Sequence, residues 1–380
     1  MKFLHTGDLH IGKKIFETSL LEDQKLMLQQ IYDIAVEEQV DAVLIAGDVY
    51  DRSVPATEAV ELLDDFLTKL IEHRLPVVLI SGNHDSPERV GFADKILERQ
   101  GLYIAGAYEG CLRKVEFEDP FGKVCVVCLP FVKPAVAGGQ NCAEAVERLL
   151  DKEDIDFADG KRYVLVTHYF VTGENGKAPE LSESETTVDV GGIDNVPADV
   201  FQGFDYVALG HRHKYQQIGV GQVYYAGAPM KYSFAEANSS KSVNIVTLGE
   251  KGQCQVKRRE LKPLHEMRCI KGFLQELIRP EIVKAAGTST EDFIQATLTD
   301  REELIDPIGT LRSVYPNIMQ IVREEKSEVS EYVQESMVIR QKNPFVLFDE
   351  FYRMVREEEM SVQEQMIMKQ IVKQVTGGRE

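Results

Sequence analysis

Apolar runs along this chain stop repeatedly at residues that can bind a metal or move a proton. At 77–85 the sequence reads VVLISGNHD, a strand-like VVLI that runs into Asn83, His84 and Asp85. The segments before it alternate in period. KFLHT (2–6) is a short apolar run, and residues 24–38 carry Leu28, Ile31 and Ala35 at helical spacing. AVLIAGD (42–48) reads as a buried strand. Residues 57–74 place Val60, Leu63, Leu67, Leu70 and Ile71 on one helical face, and PVVLISG (76–82) is the next strand. This βαβαβ start predicts a largely parallel, buried sheet covered by helices.

Further strands are predicted at 124–131, 162–168, 205–210, 222–227 and 243–248, with a helix near 142–151. The polar stretch 171–200 reads as a long loop. Near residue 262 the character changes. Residues 264–326 mix short strand-like and helix-like pieces, which predicts a small α+β cap. The expected organisation is therefore a first domain over 1–262, a cap over 263–330, and a linker with C-terminal helices over 331–380. Asn343-Pro344 reads as a helix start ahead of Phe345, Phe348, Phe351, Tyr352 and Val355. Ser361-x-x-Glu364 reads as a capping box ahead of Ile367, Ile371 and Val375. An apolar stripe at a chain end suits either packing on its own domain or docking on a partner helix or coiled coil.

The composition, 43% hydrophobic and 28% charged over 380 residues, is that of a globular protein of two or three domains. No run is long and apolar enough for a membrane helix, and the polar MKFLHTGDLH start is no signal peptide. Six scattered cysteines predict a reducing, cytoplasmic setting, with Cys125 and Cys128 as ordinary buried thiols. A net charge of -19 argues against nonspecific coating of nucleic acid. It leaves room for a nuclease, because bound cations reverse the field inside one cleft. GENGKA (173–178) falls short of a P-loop, so no ATP hydrolysis is expected of this chain.

Five apolar runs end in potential ligands: Asp8 and His10, Asp48, Asn83 with His84 and Asp85, His168, and His211 with His213. Sites in open α/β sheets form at the carboxyl ends of strands, so the five tips are expected on one rim of one sheet. Asp-x-His and His-x-His, if extended, would project both members from the same side. Two carboxylates, one neutral amide oxygen and four imidazoles, with no thiolate, suit two cations of the manganese, iron or zinc type and leave a net positive site for a phosphate. His84 stands one residue past Asn83, placed to protonate a leaving oxygen. Asp51, in GDVYDR, is expected to hold His84 through a carboxylate–imidazole hydrogen bond. Lys13, Arg52, Arg89 and Lys231 are candidate phosphate contacts.

The ordered set D-x-H, GD, GNHD, a lone His and GHxH resembles the calcineurin-like metallophosphoesterase superfamily over roughly residues 1–250. HTGDLHIGK, GDVYDRSVP, GNHDSPER, SESE…VGGID…FDYVALGHRH and GAPMKYSF are similar to the nuclease subunits of bacterial double-strand-break repair complexes. The resemblance implies an α/β sandwich of mixed sheets flanked by helices, with a small α+β cap and C-terminal helices. It implies a two-metal core of Asp8, His10, Asp48, Asn83, His168, His211 and His213, with Asp48 bridging, manganese as the working metal and His84 catalytic. It further implies a homodimer that acts on DNA ends and hairpins with an SbcC-type coiled-coil ATPase, gripped through helices 344–376. Archaeal and eukaryotic relatives carry a second histidine where Asp51 stands, so that histidine's role does not transfer here. The alternatives are another metallophosphoesterase, acting on phosphomonoesters or cyclic nucleotides, and an inactive scaffold.

Overall fold

The computed structural model describes residues 1–173, 195–285, 289–324, 345, 348–349, 352–353, 356 and 360–375. Residues 1–322 form one compact unit, and 323–380 a second.

Two six-stranded mixed sheets lie face to face in the first unit. The strands, in chain order, are β1 (Lys2–Thr6), β2 (Ala42–Ala46), β3 (Val77–Ile80), β4 (Leu102–Ala105), β5 (Arg113–Asp119), β6 (Gly122–Leu129), β7 (Arg162–His168), β8 (Tyr206–Gly210), β9 (Gln216–Gln217), β10 (Val223–Tyr225), β11 (Lys241–Leu248) and β12 (Cys254–Leu261). One sheet runs β12-β11-β1-β2-β3-β4 and the other β9-β10-β8-β7-β6-β5. β1 to β4 are mutually parallel, as are β6, β7, β8 and β10.

Strand periodicity explains why these segments are apolar throughout. In β2, Ala42, Leu44 and Ala46 face the other sheet, while Val43 and Ile45 face the helices α1 (Leu21–Glu37) and α2 (Thr57–Glu72). In β6, Val124, Val126 and Cys128 point between the sheets, whereas Cys125, Val127 and Leu129 meet α3 (Cys142–Asp151). The result is four layers, helix–sheet–sheet–helix, with every central strand buried on both faces. Cys125 and Cys128 therefore lie on opposite faces of one strand and share no site. Burial pushes the Cys128 thiol up to about 12.

Sequence patterning located the central strands and missed β4, β5 and β12, which stand at sheet edges. Charged residues such as those in RKVEFED and CQVKRREL blunt an exposed edge and hide its strand character. The stretch read as a loop over 171–200 is strand at both ends, where Phe170–Thr172 pairs with Asn195–Pro197. Residues 174–194, with the rest of GENGKA and the whole SESE…VGGID run, lie outside the described residues.

The expected α+β module is a three-stranded sheet with its own core of Leu274, Leu277, Ile294, Ala296, Leu298, Leu311, Tyr315 and Ile318. Met267 and Phe293 belong instead to the core beneath α1, which ties this module into the first unit. In the second unit α4 spans Val362–Val375. Ser361 N–H donates to Glu364 at 2.8 Å, and Glu364 N–H donates to Ser361 Oγ at 3.4 Å, forming the predicted capping box. Met366, Ile367 and Ile371 are exposed on this helix. Asn343, Pro344, Phe351 and Val355 lie outside the described residues. Among the described residues no helix is long and apolar enough to cross a membrane.

Candidate metal centre

The expected ligands gather at one place, but from two sheets. Asp8, Asp48 and Asn83 follow β1, β2 and β3 of the first sheet, while His168 ends β7 and His211 and His213 follow β8 of the second. The expectation of a single-sheet rim is corrected accordingly: the centre lies where the carboxyl edges of both sheets pinch together. His168 Nδ1 donates across this seam to the Ala46 carbonyl at 2.8 Å. A Cβ on Gly210 would lie 1.8 Å from that carbonyl oxygen, so the sheets approach closely enough to exclude any side chain there.

The extended Asp-x-His and His-x-His geometry is also corrected. Asp8 (φ 52), His10 (φ 43), Asp48 (φ 48) and His211 (φ 97) occupy the left-handed region, beyond the strand ends. Such backbone costs about 1–3 kcal/mol per residue and persists only where surrounding contacts fix it. Here the loops fix one another. Asp8 N–H donates to the Gly47 carbonyl at 3.0 Å and His10 N–H to the Asp48 carbonyl at 3.0 Å. Asp85 is no ligand; its buried carboxylate accepts from Val49 N–H (3.0 Å), Tyr50 N–H (2.9 Å) and Gly82 N–H (2.9 Å), locking the β2 loop to the β3 loop.

The resulting cluster is compact. Asp8, His10 and His213 present donor atoms within 4.8 Å of one another, as do Asp8, Asp48 and His168, and His10, Asp48 and His84. Asp48 stands in the middle, with Oδ2 3.2 Å from His168 Nε2 and 3.7 Å from His10 Nε2. Asn83 Oδ1 lies 3.0 Å from both His168 Nε2 and His211 Nδ1. Asp8, His10, Asp48 and His168 are buried, whereas Asn83 and His84 are exposed, so the centre opens to solvent on the Asn83–His84 side.

These donors fit a pair of divalent cations. Asp8 Oδ2 and His10 Nδ1 are buried with no hydrogen-bond partner among the described residues, and such groups are rare without a missing ligand or water. Burial pushes Asp8 up to about 6 and His211 down to about 3. Burial also disfavours the charged form of His168, but the neighbouring Asp48 carboxylate outweighs it and holds the imidazole at about 9. Two buried carboxylates set among imidazole nitrogens and an amide oxygen form a donor set that divalent cations take.

His84 borders the cluster as expected, its Nε2 4.0 Å from Asp48 Oδ2 and its N–H donating to Asp48 Oδ1 at 2.9 Å. The Asp51 contact differs from expectation. His84 Nδ1 lies 3.1 Å from the Asp51 backbone carbonyl, while the Asp51 carboxylate turns away to accept from Lys13 Nζ at 2.7 Å. The short spacing from Asp48 set the two residues side by side, and the Lys13 ammonium captured the carboxylate. Lys231 is likewise drawn inward, to Glu266 and the Ala237 carbonyl. Arg52 is exposed and sets Nε 3.7 Å from Asp51 Oδ2, and Arg89 is exposed as well.

Sequence reasoning had Gly7, Gly47, Gly82 and Gly210 within its motifs but missed what they do ahead of the first-sheet ligands and His211. Gly47 (φ +81) packs against His168, where a Cβ would lie 2.5 Å from Nδ1. It also missed Glu236, which reaches His213 from a short turn at Phe234–Glu236 with no local motif.

A family model described as calcineurin-like phosphoesterase matches residues 1–215, and one described as type 5 capsule protein repressor C-terminal domain matches residues 263–356. The SbcD component of the nuclease SbcCD from Staphylococcus epidermidis is 31% identical over 370 residues, covering 95% of each chain. Among solved structures, the E. coli phosphoesterase Yfce is similar with a TM-score of 0.26 and 11% identity over 65% of this chain and 88% of that one, a likeness too slight to build on. The motif order, the gathered donors and a family match over more than half the length lead to one conclusion: the chain belongs to the calcineurin-like phosphoesterase family.

Proposed function

We propose that this chain is an SbcD-like nuclease subunit that hydrolyses DNA phosphodiester bonds at double-strand ends and hairpins. One observation carries the reading. Oxygen and imidazole donors meet at one open rim in a chain that matches a nuclease component over 95% of both lengths. Asp8, His10, Asp48, Asn83, His168, His211 and His213 would hold two divalent cations, with manganese as the working metal, iron or zinc being chemically compatible. Bound cations supply Lewis acidity and an activated water for in-line displacement.

The chain's own groups do the rest. His168 is fixed by its bond to Ala46, so its Nε2 faces inward in one tautomer. His84 stands on the solvent side, its Nδ1 against the Asp51 carbonyl, which leaves Nε2 to give a proton to the departing oxygen. Exposed Arg52 suits contact with backbone phosphates, as does Arg89, and a net charge of -19 keeps such contact local. The exposed Met366, Ile367 and Ile371 of α4 support docking on an SbcC-type coiled-coil ATPase. The proposed arrangement is a homodimer with two such partners, built from a phosphoesterase domain over 1–262, a cap over 263–330 and a docking segment over 331–380.

The test is cleavage of linear and hairpin DNA by the full chain with manganese, beside a generic small phosphodiester and a phosphomonoester. His84→Ala is expected to retain both metals and lose about 10²–10⁴-fold in DNA cleavage. Loss of metal would make His84 a ligand, and cleavage of the small esters alone would refute the nuclease reading. Purified from its own cells, the full chain should bring a large ATPase with it, and a chain lacking residues 341–380 should not.

A further inference from the structure

The two imidazoles at one end of the metal centre are backed by carboxylates, and each carboxylate is held by a lysine. His10 turns Nε2 inward and Nδ1 toward Asp51 Oδ1 at 3.8 Å, the same oxygen that accepts from Lys13 Nζ at 2.7 Å. His213 also turns Nε2 inward, with Nδ1 3.7 Å from Glu236 Oε1. The buried Lys241 ammonium pairs with Glu236 Oε2 and donates to the His213 carbonyl at 2.9 Å. The other end is built differently. His168 rests on the Ala46 backbone carbonyl, and His211 offers Nδ1 to Asn83.

His10 Nε2 and His213 Nε2 lie 3.2 Å apart, facing the same space. A cation held by both needs both Nε2 lone pairs, which moves the protons to Nδ1. The carboxylates facing those two atoms are Asp51 and Glu236. His168 needs no such change, because its Nδ1 proton already has an acceptor.

We infer that Asp51 and Glu236 are positioning residues that close on the Nδ1 protons of His10 and His213, so that these two carboxylates set cation affinity at the Asp8–His10–His213 half of the centre without touching the other half. Asp51 thereby acts toward His10 instead of toward His84 as expected. The inference rests on the two-metal reading above.

The experiment is a manganese titration of the full chain and its Asp51→Ala and Glu236→Gln variants. Metal content is counted after gel filtration, and electron paramagnetic resonance separates a coupled Mn pair from an isolated ion. Wild type is expected to bind two ions with a coupled spectrum. Each variant should lose about 10–100-fold in affinity for one ion only and show the isolated six-line signal at two equivalents. Glu236→Gln strands the buried Lys241 and endangers folding; Asp51→Ala releases a Lys13 side chain that is 23% exposed, so it carries the test alone. Two ions bound as tightly as in wild type, or both weakened alike, overturns the inference and leaves the two-metal reading standing. Wild type that binds no manganese overturns both.

Discussion

Replacing Asp85 by Ala tests whether the ligand loops are held by one buried carboxylate. Asp85 is 6% exposed and accepts three backbone N–H groups, two from the loop that carries Asp48 and one from Gly82, the residue before Asn83. Burial raises this carboxyl, and the three N–H groups oppose that rise. Alanine strands three donors in a region closed to solvent, each costing about 1–3 kcal/mol. Such costs are not additive and a water can occupy part of the space, so the expected loss is about 3–6 kcal/mol. Against a typical stability of about 5–15 kcal/mol the variant stays folded in the cold. Its Asp48 and Asn83 loops should part, so manganese binding should fall together with stability. Asp85→Asn keeps the shape but turns an amide donor toward N–H groups, and should fall between wild type and Ala. Urea unfolding followed by circular dichroism gives the first quantity, and calorimetric manganese titration the second. A loss under about 1 kcal/mol with metal affinity unchanged would refute the reasoning, because the loops would then hold their strained backbone without Asp85.

Gly210→Ala places a Cβ 1.8 Å from the Ala46 carbonyl and 2.6 Å from His168 Nδ1, so the seam between the sheets must open. The expected cost is about 3 kcal/mol or more, read as a melting point lower by about 6–12 °C, and an unchanged melting point with intact metal binding would contradict it. Asp119 binds the buried Arg162 through both oxygens, at 3.0 and 2.5 Å, and this guanidinium holds its carboxyl well below the usual range. Asp119→Ala should cost about 3 kcal/mol near neutral pH, the Gly122 and Gly249 carbonyls still serving Arg162. A depressed carboxyl stabilises the fold above its unfolded value of about 3.9 and loses that contribution as pH falls below it. Unfolding curves of wild type and variant should therefore converge in acid, and a gap that stays constant would exclude the ion pair as its source.

The residues that carry chemistry were legible because their signal is local. A buried strand needs an unbroken apolar run, and a ligand at its tip needs a polar side chain where the run stops. Asp8, Asp48, Asn83, His168 and His211 satisfy both conditions within a few positions, and the Ser361–Glu364 cap is equally local. Edge strands β5 and β12 were hidden, because a half-exposed strand rich in charged residues carries no continuous apolar run.

What the sequence by itself determined is the order of the central strands, the identity of the donors and the expectation that they converge. Only the tertiary structure decided that two sheets supply them. Pairing of the β5–β6 hairpin starts a second sheet, and the choice between extending one sheet and stacking another depends on contacts between residues more than a hundred positions apart, such as His168 and Ala46. Tertiary contacts also decided the partners of Asp51, Asp85 and Glu236. A carboxylate goes to the donor that the fold brings nearest, and Lys13, the Val49 amide and Lys241 come close only once the loops are packed.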